Sequence, residues 1–422
     1  MTDQEIFELL QKNAGPGIKP GLSRTKDLLH QLGDPHLSGK YIHITGTNGK
    51  VSTAAIAGEV LGQAGFKVGM YTTPHLWTFH EQFQVNGKAI PDVTFVRLAQ
   101  QVLDIAMTME DRPSEFEMMT AIGFAYFQEQ HCDLVILEVG LGGKQDSTNV
   151  IAAPEVAVIT NIGLEHTRML GNTRAEIAGE KSGIIKHGCD ALLYHQSEEV
   201  ETVVKEVCHA ENVALTLTDP NSLEIISSDR DGQYFRYRGK GPYYLRLLGE
   251  FQLRNAMTAI DVIDLMRKRG WNITDCALIE GMGNAKWPAR MELARRNPDV
   301  ILDGGHNPQC MEALAESLSK LYPGEKLWFL TGVLADKNYD AMYHSLMPIA
   351  KGFVTLTPGN PRALSAADLA SYLRSQGQNA EACGSAKEGL DKIFALASPE
   401  DRICVCGSLY MIGEIRHLLG FC

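Results

Sequence analysis

Several short stretches place residues able to do chemistry at the ends of apolar runs. In "YIHITGTNGKVSTAAIAG", residues 41–58, an apolar run meets Gly46-Thr47-Asn48-Gly49-Lys50 and then a pattern of small residues with helical character. Strand, glycine turn, lysine, hydroxyl and helix together make a phosphate cradle. Gly46 and Gly49 let backbone N–H groups approach oxyanions without a Cβ in the way, Lys50 brings charge to a β/γ-phosphate, and a hydroxyl can ligate Mg²⁺. The match to the eight-residue nucleotide-loop pattern is imperfect. Its first glycine falls on Ile44, and its hydroxyl falls on Val51 rather than Ser52. The structural alternative is a plain turn with a solvated lysine.

A second stretch, "LVILEVGLGGKQDSTNV" (134–150), ends a hydrophobic run in Glu138. A carboxylate delivered there would lie at the same sheet edge as the phosphate cradle, where it could hold a metal beside a nucleotide. Glycines 140, 142 and 143 permit close backbone approach. His166 follows the next apolar run, in "TNIGLEHTRMLG". In "IAGEKSGIIK", Lys181 lies on a helix expected to start near Thr173, with Glu176 at N3 of a capping box. Taken alone, a helical lysine reads as solvated surface. Arg290 in "NAKWPAR", and Asp303 and His306 in "ILDGGHNPQC", stand at further strand ends, and these polar loops from two domains suggest an active site between them.

The elements that must position these residues follow from periodicity. "YIHIT", "KVGMYT", "LVILEV" and "EVAVITNI" read as strands, and continuous apolar runs of this kind indicate parallel strands covered on both faces. Residues 52–65, "AIPDVTFVRLAQQVLDIAM" and "SEFEMMTAIGFAYFQEQ" read as helices. The alternation implies an α/β doubly wound parallel sheet with ligands at the strands' C-terminal ends. Residues 221–250 break it with a small antiparallel β patch turning at Gly239–Gly241. The helix "QLRNAMTAIDVIDLMRKRG" is capped by Gly270. A boundary near "KWPARMELARRNPD" separates an N-terminal domain, 1–290, from a smaller α/β domain, 291–422, with strands "DVILDGG", "LWFLTGV", "GFVTLTP" and "RICVCGS".

Bulk properties narrow the class. A chain of 422 residues with 44% hydrophobic and 21% charged content is an ordinary globular protein. A net charge of −12 argues against general nucleic-acid or anionic-membrane binding. Nine scattered cysteines without a CxxC pair read as reduced thiols. The acidic start "MTDQEIFELLQ" has no signal-peptide character and no apolar run reaches membrane-spanning length, so a cytoplasmic protein is expected.

From "GLSRTKDLLHQLGDP" to "CGSLYMIGEI", the ordered landmarks "GTNGK", "TPHL", "EVGLGG", "DSTNV", "EKSGIIK", "LRNAMTAI", "WPAR", "DGGHNP", "LADK" and "GSLY" carry a resemblance. The chain resembles the folylpolyglutamate synthase/dihydrofolate synthase branch of the Mur-ligase-like amide ligases. The resemblance implies a P-loop ATPase domain followed by a Rossmann-like domain. It also implies ATP-driven joining of L-glutamate to a folate, and to dihydropteroate, through an acyl phosphate. By motif, Thr47, Asn48, Gly49, Lys50 and Ser52 would bind ATP phosphates, and Asn255, Arg290 and Asp303 the nucleotide. Thr73, Glu138 and His166 would hold Mg²⁺, two ions in all. Lys181 would be carbamylated by CO₂ and join the metal ligands, and His306 would lie near the γ-phosphate or acyl phosphate.

His75 of "TPHL" and Phe116 and Glu117 of "SEFE" resemble pterin-side loops, offering a stacking face and a carboxylate for a pterin amino group. Phe116 also has the spacing of a helix core residue. The partners implied are small molecules only, for a monomer. The chain departs from the family's usual residues at Val51 (glycine), Gln82 (arginine, within "HEQF"), Phe251 (histidine), Lys144 (arginine), Glu165 (aspartate) and Asn338. Two further readings use the same scaffold: a paralogue joining another acid and amino acid, and a non-catalytic nucleotide or folate binder. Retention of Lys50, Glu138, His166 and Lys181 together speaks against the latter.

Overall fold

The computed structural model describes residues 2–15, 17 and 21–421. These divide into two compact units. The first comprises residues up to Leu223 with Tyr237–Gly241 and Asn255–Ala285; the second comprises Glu224–Arg236, Pro242–Arg254 and the chain from Lys286 onward.

The first unit is built on eight strands: β1 (Tyr41–Thr45), β2 (Val68–Tyr71), β3 (Phe83–Val85), β4 (Lys88–Ala89), β5 (Leu134–Glu138), β6 (Val156–Ile159), β7 (Asp190–Leu193) and β8 (Leu215–Leu217). Their order is β4-β3-β2-β5-β1-β6-β7-β8. From β2 to β8 the pairings are parallel, while β3 and β4 add an antiparallel edge. Every residue of β1, β5 and β6 is buried. That is why these segments are apolar without alternation: helices cover both faces. In register, Ile44 pairs with Glu138 and Thr45 with Ile159. The loops after β1, β5 and β6 therefore leave one edge of the sheet side by side, at the switch in strand order where open α/β sheets bind ligands.

The helix after β1 runs Lys50–Gln63, starting two residues before the expected position because Gly49 (φ 90°) makes the turn by itself. Residues 51–57 are all buried, which the small side chains of "VSTAAIA" allow. This helix packs on the helix Asp275–Asn284, where Gly281 lies against the backbone of Val60. The "SEFE" helix spans Glu115–Glu129 with a Ser114/Glu117 capping box, and the lysine-bearing helix spans Arg174–Ser182 with the expected Thr173/Glu176 box. Among the described residues no helix is long and apolar enough to cross a membrane. The eight described cysteines are free thiols; Cys422 lies outside the described residues.

Strands β9 (Leu223–Asp229), β10 (Gly232–Tyr237) and β11 (Lys240–Leu245) form a three-stranded sheet in chain order, as the 221–250 stretch suggested. The helix Glu250–Lys268 follows and ends just before Gly270.

The second unit carries β12 (Glu292–Arg295), β13 (Asp299–Leu302), β14 (Leu327–Thr331), β15 (Ala350–Thr355), β16 (Ala380–Ala382) and β17 (Arg402–Cys406), ordered β12-β13-β17-β14-β15-β16. All pair parallel except β12 with β13. The four expected strands are present. The edge strands β12 and β16 were not foreseen: β12 lies within "MELARR", whose partly exposed residues break the apolar run, and β16 has three residues.

The close approach of Gly281 to Val60 yields a stability prediction. Gly281→Ala should destabilise the protein by about 1–3 kcal/mol through overpacking against backbone. Gly62→Ala, at a helical site with open space around it, should stabilise by roughly 0.5–1 kcal/mol. Urea unfolding monitored by circular dichroism checks both; equal midpoints for the two variants would contradict the packing argument.

Candidate active site

The helix Lys50–Gln63 has no side-chain cap at its N-terminus, so its first N–H groups are open to an anion. The turn that presents them is rigid. Thr47 N–H donates to the Asn161 carbonyl (2.7 Å), Asn48 N–H to Asn161 Oδ1 (3.2 Å), and Thr160 Oγ1 to the Asn48 carbonyl (2.8 Å). A Cβ on Gly46 would strike Thr160 Oγ1, and one on Gly49 would strike Asn255 Oδ1. The turn therefore requires both glycines, and it brings Asn255 to the phosphate loop.

Two lysines converge on this turn. Lys50 Nζ donates to the carbonyls of Gly46 and Thr47, each at 3.3 Å, and Lys181 Nζ donates to the same Gly46 carbonyl at 2.8 Å. Lys181 is 5% exposed. Burial first, and the Lys50 charge second, pull its pKa down to about 7, against opposing pull from Glu165, Asp146 and Glu138. Glu138 is buried at the end of β5; its Oε1 lies 3.7 Å from Lys50 Nζ, and its Oε2 accepts from Thr73 N–H at 2.9 Å. The glycine loop after β5 is locked to the lysine helix, with Lys144 N–H donating to the Glu180 carbonyl (2.9 Å) and Asn149 Nδ2 to the Gly183 carbonyl (2.9 Å). Thr45 Oγ1 donates to the Gly142 carbonyl at 2.6 Å. Ser52 is buried in the first turn of the helix. His166 stands exposed, in left-handed backbone (φ 52°), at the head of the short helix Thr167–Leu170.

In the second unit, Asp303 follows β13 and is buried. Its Oδ1 accepts from Gly305 N–H (2.8 Å) and its Oδ2 from Met291 N–H (3.0 Å). Burial raises its pKa, opposed by the Arg290 charge and these two backbone donors. Arg290 Nη1 donates to the Ala289 carbonyl (3.2 Å). His306 Nδ1 bonds the Gly304 carbonyl at 2.9 Å. A carbonyl only accepts, so Nδ1 carries a proton.

Residues 44–263 match the Mur ligase middle domain and residues 289–409 the Mur ligase glutamate ligase domain. The chain is 36% identical to the dihydrofolate synthase/folylpolyglutamate synthase of Bacillus subtilis over 416 residues, covering 96% of each chain. The chain belongs to the folylpolyglutamate synthase/dihydrofolate synthase family of Mur ligases. Its fold superimposes on Mycobacterium tuberculosis folylpolyglutamate synthase complexed with ADP at a TM-score of 0.91, with 29% identity over 99% of this chain and 98% of that one. A folylpolyglutamate synthase–AMPPCP–folate complex matches at 0.86, with 29% identity over the whole of both chains.

Within this family member the "TPHL" loop is held by Glu81, whose carboxylate accepts from the N–H groups of Leu76 (2.8 Å) and Thr78 (3.1 Å). Gln82 puts its side-chain amide 2.9 Å from His75 Nδ1. Phe116 is half-buried and packs over Gly140. Glu117 has a different occupation from the pterin contact expected of it. Its Oε1 accepts from Arg24 Nε (3.2 Å) and Thr25 Oγ1 (3.2 Å), and its Oε2 accepts from Ser114 N–H (2.7 Å) and faces Arg24 Nη2 at 3.1 Å. Four donors fill a carboxylate's acceptor sites, so Glu117 fixes Arg24 and the start of its own helix. Val51 is buried inside the phosphate-loop helix, away from the strained turn positions.

Sequence reasoning passed over Asp146, Thr160, Asn161 and Arg24. Asp146 is buried, accepts from Leu141 N–H (2.9 Å) and Thr148 N–H (3.0 Å), and lends its charge to Lys181. The signal for it was the "DSTNV" landmark itself, and for Asn161 its place after a buried strand.

The Gln82 contact fixes a testable proton position. Burial lowers the His75 pKa, so at pH 7 the ring should be neutral, with Gln82 donating to Nδ1 and the proton on Nε2. Long-range ¹⁵N NMR should show that tautomer in the native protein and a mixture in Gln82→Leu. An Nδ1-protonated ring in the native protein would reverse the assignment.

Proposed function

We propose that this protein uses ATP to join L-glutamate to the carboxylate of a folate, and of dihydropteroate. The acceptor carboxylate oxygen attacks the γ-phosphorus and ADP leaves. The amine of glutamate then attacks the acyl carbon, phosphate leaves, and an amide remains. One observation carries the reading: a single carbonyl, that of Gly46, receives both Lys50 and the buried Lys181 beside Glu138. A phosphate-binding turn explains Lys50, but only further chemistry explains a second, desolvated lysine.

That chemistry is carbamylation. The neutral amine of Lys181 adds to the carbon of CO₂ and releases a proton, turning a cation into a carboxylate-like anion. The low pKa supplies the neutral amine. Glu138, the Thr73 hydroxyl, His166 and the carbamate would then hold two Mg²⁺ ions. The donor set fits: Glu138 is a buried carboxylate whose neighbouring cation is a lysine at 3.7 Å, and Mg²⁺ takes few protein ligands because water and phosphate complete its shell. When bound, Mg²⁺ supplies positive charge against the triphosphate.

Lys50 does the same from the protein side, and the open N–H groups of its helix orient the phosphates. Thr47, Asn48, Gly49 and Ser52 belong to the same turn and helix start. Asn255, Arg290 and Asp303 would serve the nucleotide, with His306 near the transferred phosphate. His75 and Phe116 would face the pterin, and Glu117 acts through Arg24 and the helix start. Gln82 favours a second acceptor reading, in which a less anionic acid is joined on the same scaffold, because a cation beside the acceptor loop is replaced by an amide.

Lys50→Ala should lower ATP turnover by about a hundredfold or more, the loss of several kcal/mol of charge stabilisation, with circular dichroism unchanged. ADP release across folate, dihydropteroate and other acids tests the acceptor; turnover only with a non-pteroate acid would overturn the folate assignment while keeping the ligase.

Lys181 adds a pH test. Its folded pKa is depressed from 10.5 to about 7, so the reactive amine is present above about pH 7 and lost as pH falls through it. At fixed dissolved CO₂, activity should rise through pH 7, and Lys181→Ala should be inactive but partly restored by a short carboxylate. A ¹³CO₂ carbamate resonance should appear in the native protein; full activity in CO₂-free buffer would exclude the carbamate.

A further inference from the structure

A second constellation of ligating side chains lies in the first unit, outside everything assigned to the ligase reaction. Asp3 sits in the first turn of the helix Asp3–Asn13, Asp92 is the first residue of the helix Asp92–Thr108, and His80 belongs to the short turn Phe79–Gln82. One ligand atom from each lies within 4.8 Å of the others, and this is the one such trio among the described residues. We propose that Asp3, His80 and Asp92 bind a divalent metal ion of the Zn²⁺ type, which fastens the first helix to the segment that follows the "TPHL" loop.

Acidic residues at helix starts are common because they complement the helix dipole, so the two aspartates alone assign nothing. The histidine does. His80 is 7% exposed, and its Nε2 is buried without a hydrogen-bond partner. That nitrogen points between the carboxylates, 3.6 Å from Asp3 Oδ2 and 3.7 Å from Asp92 Oδ1. The ring is fixed by Phe79 (4.3 Å between centroids) and by Phe95 (5.3 Å, edge-on). A direct charge-assisted hydrogen bond would close to about 2.7–2.9 Å. A tetrahedral ion with bonds of roughly 2.0–2.2 Å holds its ligand atoms about 3.3–3.6 Å apart. The two nitrogen–oxygen gaps, 3.6 and 3.7 Å, are too long for the direct bond and stand close to the upper end of the second geometry, and an ion would draw the three ligand atoms, now within 4.8 Å of one another, slightly inward.

One imidazole and two carboxylates form a mixed nitrogen–oxygen set that suits Zn²⁺ or Mn²⁺; there is no thiolate, and too few oxygens for Ca²⁺. The Asp92 side chain is 80% exposed, which leaves a fourth position to water. The site is independent of the acceptor and of the Lys181 chemistry.

The test uses full-length protein stripped with a chelator and titrated with Zn²⁺ by calorimetry without nucleotide, with stoichiometry confirmed by elemental analysis. The native protein should bind one more equivalent than His80→Gln and Asp92→Asn. Its melting temperature should rise with Zn²⁺, and that rise should be smaller in both variants. Co²⁺ should give a visible ligand-field band in the native protein that both variants lose. His80 is buried and its substitution can unfold the segment; Asp92→Asn, at an exposed position, keeps the test decisive. Equal Zn²⁺ stoichiometry and affinity in native protein and Asp92→Asn would overturn the proposal.

Discussion

The glycine turn after β1 depends on one acceptor atom. The Gly46 carbonyl oxygen takes two lysine side chains, one partly exposed and one buried. Two ammonium groups sharing one carbonyl repel each other, and the buried one has also lost its water. The sheet answers this by bringing acids to the same edge. β5 ends in Glu138, its following loop carries Asp146, and the loop after β6 carries Glu165; all three act on Lys181 and all oppose the shift that burial imposes. The parallel strand order β5-β1-β6 makes this possible, because the three loops leave the sheet on one side. An amine near neutrality at this point can be turned into an anion by CO₂, which would convert repulsion between two lysines into attraction.

The same constraint explains the local rigidity. A loop that must present N–H groups to a polyanion cannot relax around it without losing the advantage of preorganisation. Here the turn is braced by Thr160, Asn161 and Asn255, and the loop after β5 is braced against the lysine helix through Lys144, Asn149 and Gly143. In the second unit, Asp303 shows the corresponding design: a buried carboxylate satisfied by two backbone N–H groups, which fixes the turn that displays Arg290 and His306.

Much of this was legible in the sequence, for a definite reason. Buried parallel strands are written as uninterrupted apolar runs, so β1, β5, β6, β13, β14 and β17 announced themselves, and the residues at their ends could be read as a site. Edge strands are not written that way: β12 carries Glu292 and Arg295 at a partly exposed edge, and β16 is too short to show a period. Side-chain partnerships across long sequence separations were equally hidden. Nothing near Glu117 shows that Arg24, 93 residues away, would take its carboxylate. Asp146 was masked because a buried acid held by backbone N–H groups looks, in sequence, like any turn aspartate.

The departures at Val51 and Gln82 separate once the structure is considered. A glycine-to-valine change matters where backbone must turn left-handed or approach a ligand, and the positions that do so here are 46 and 49. Val51 lies one residue past the first helical position and is buried, so it adds apolar burial to the helix outside the left-handed positions of the turn. Gln82 is of another kind. An arginine there would bring a fixed positive charge that cannot be removed by deprotonation, and such a charge beside a buried imidazole would favour the neutral ring and attract an anionic acceptor. A glutamine keeps the hydrogen bond to His75 and deletes the charge. What the loop then holds at this position is an amide hydrogen-bonded to His75 rather than a cation. An acceptor meeting that pair would be selected by hydrogen-bond geometry rather than net charge, and such a site rejects a poorly shaped acceptor more strongly than a weakly charged one.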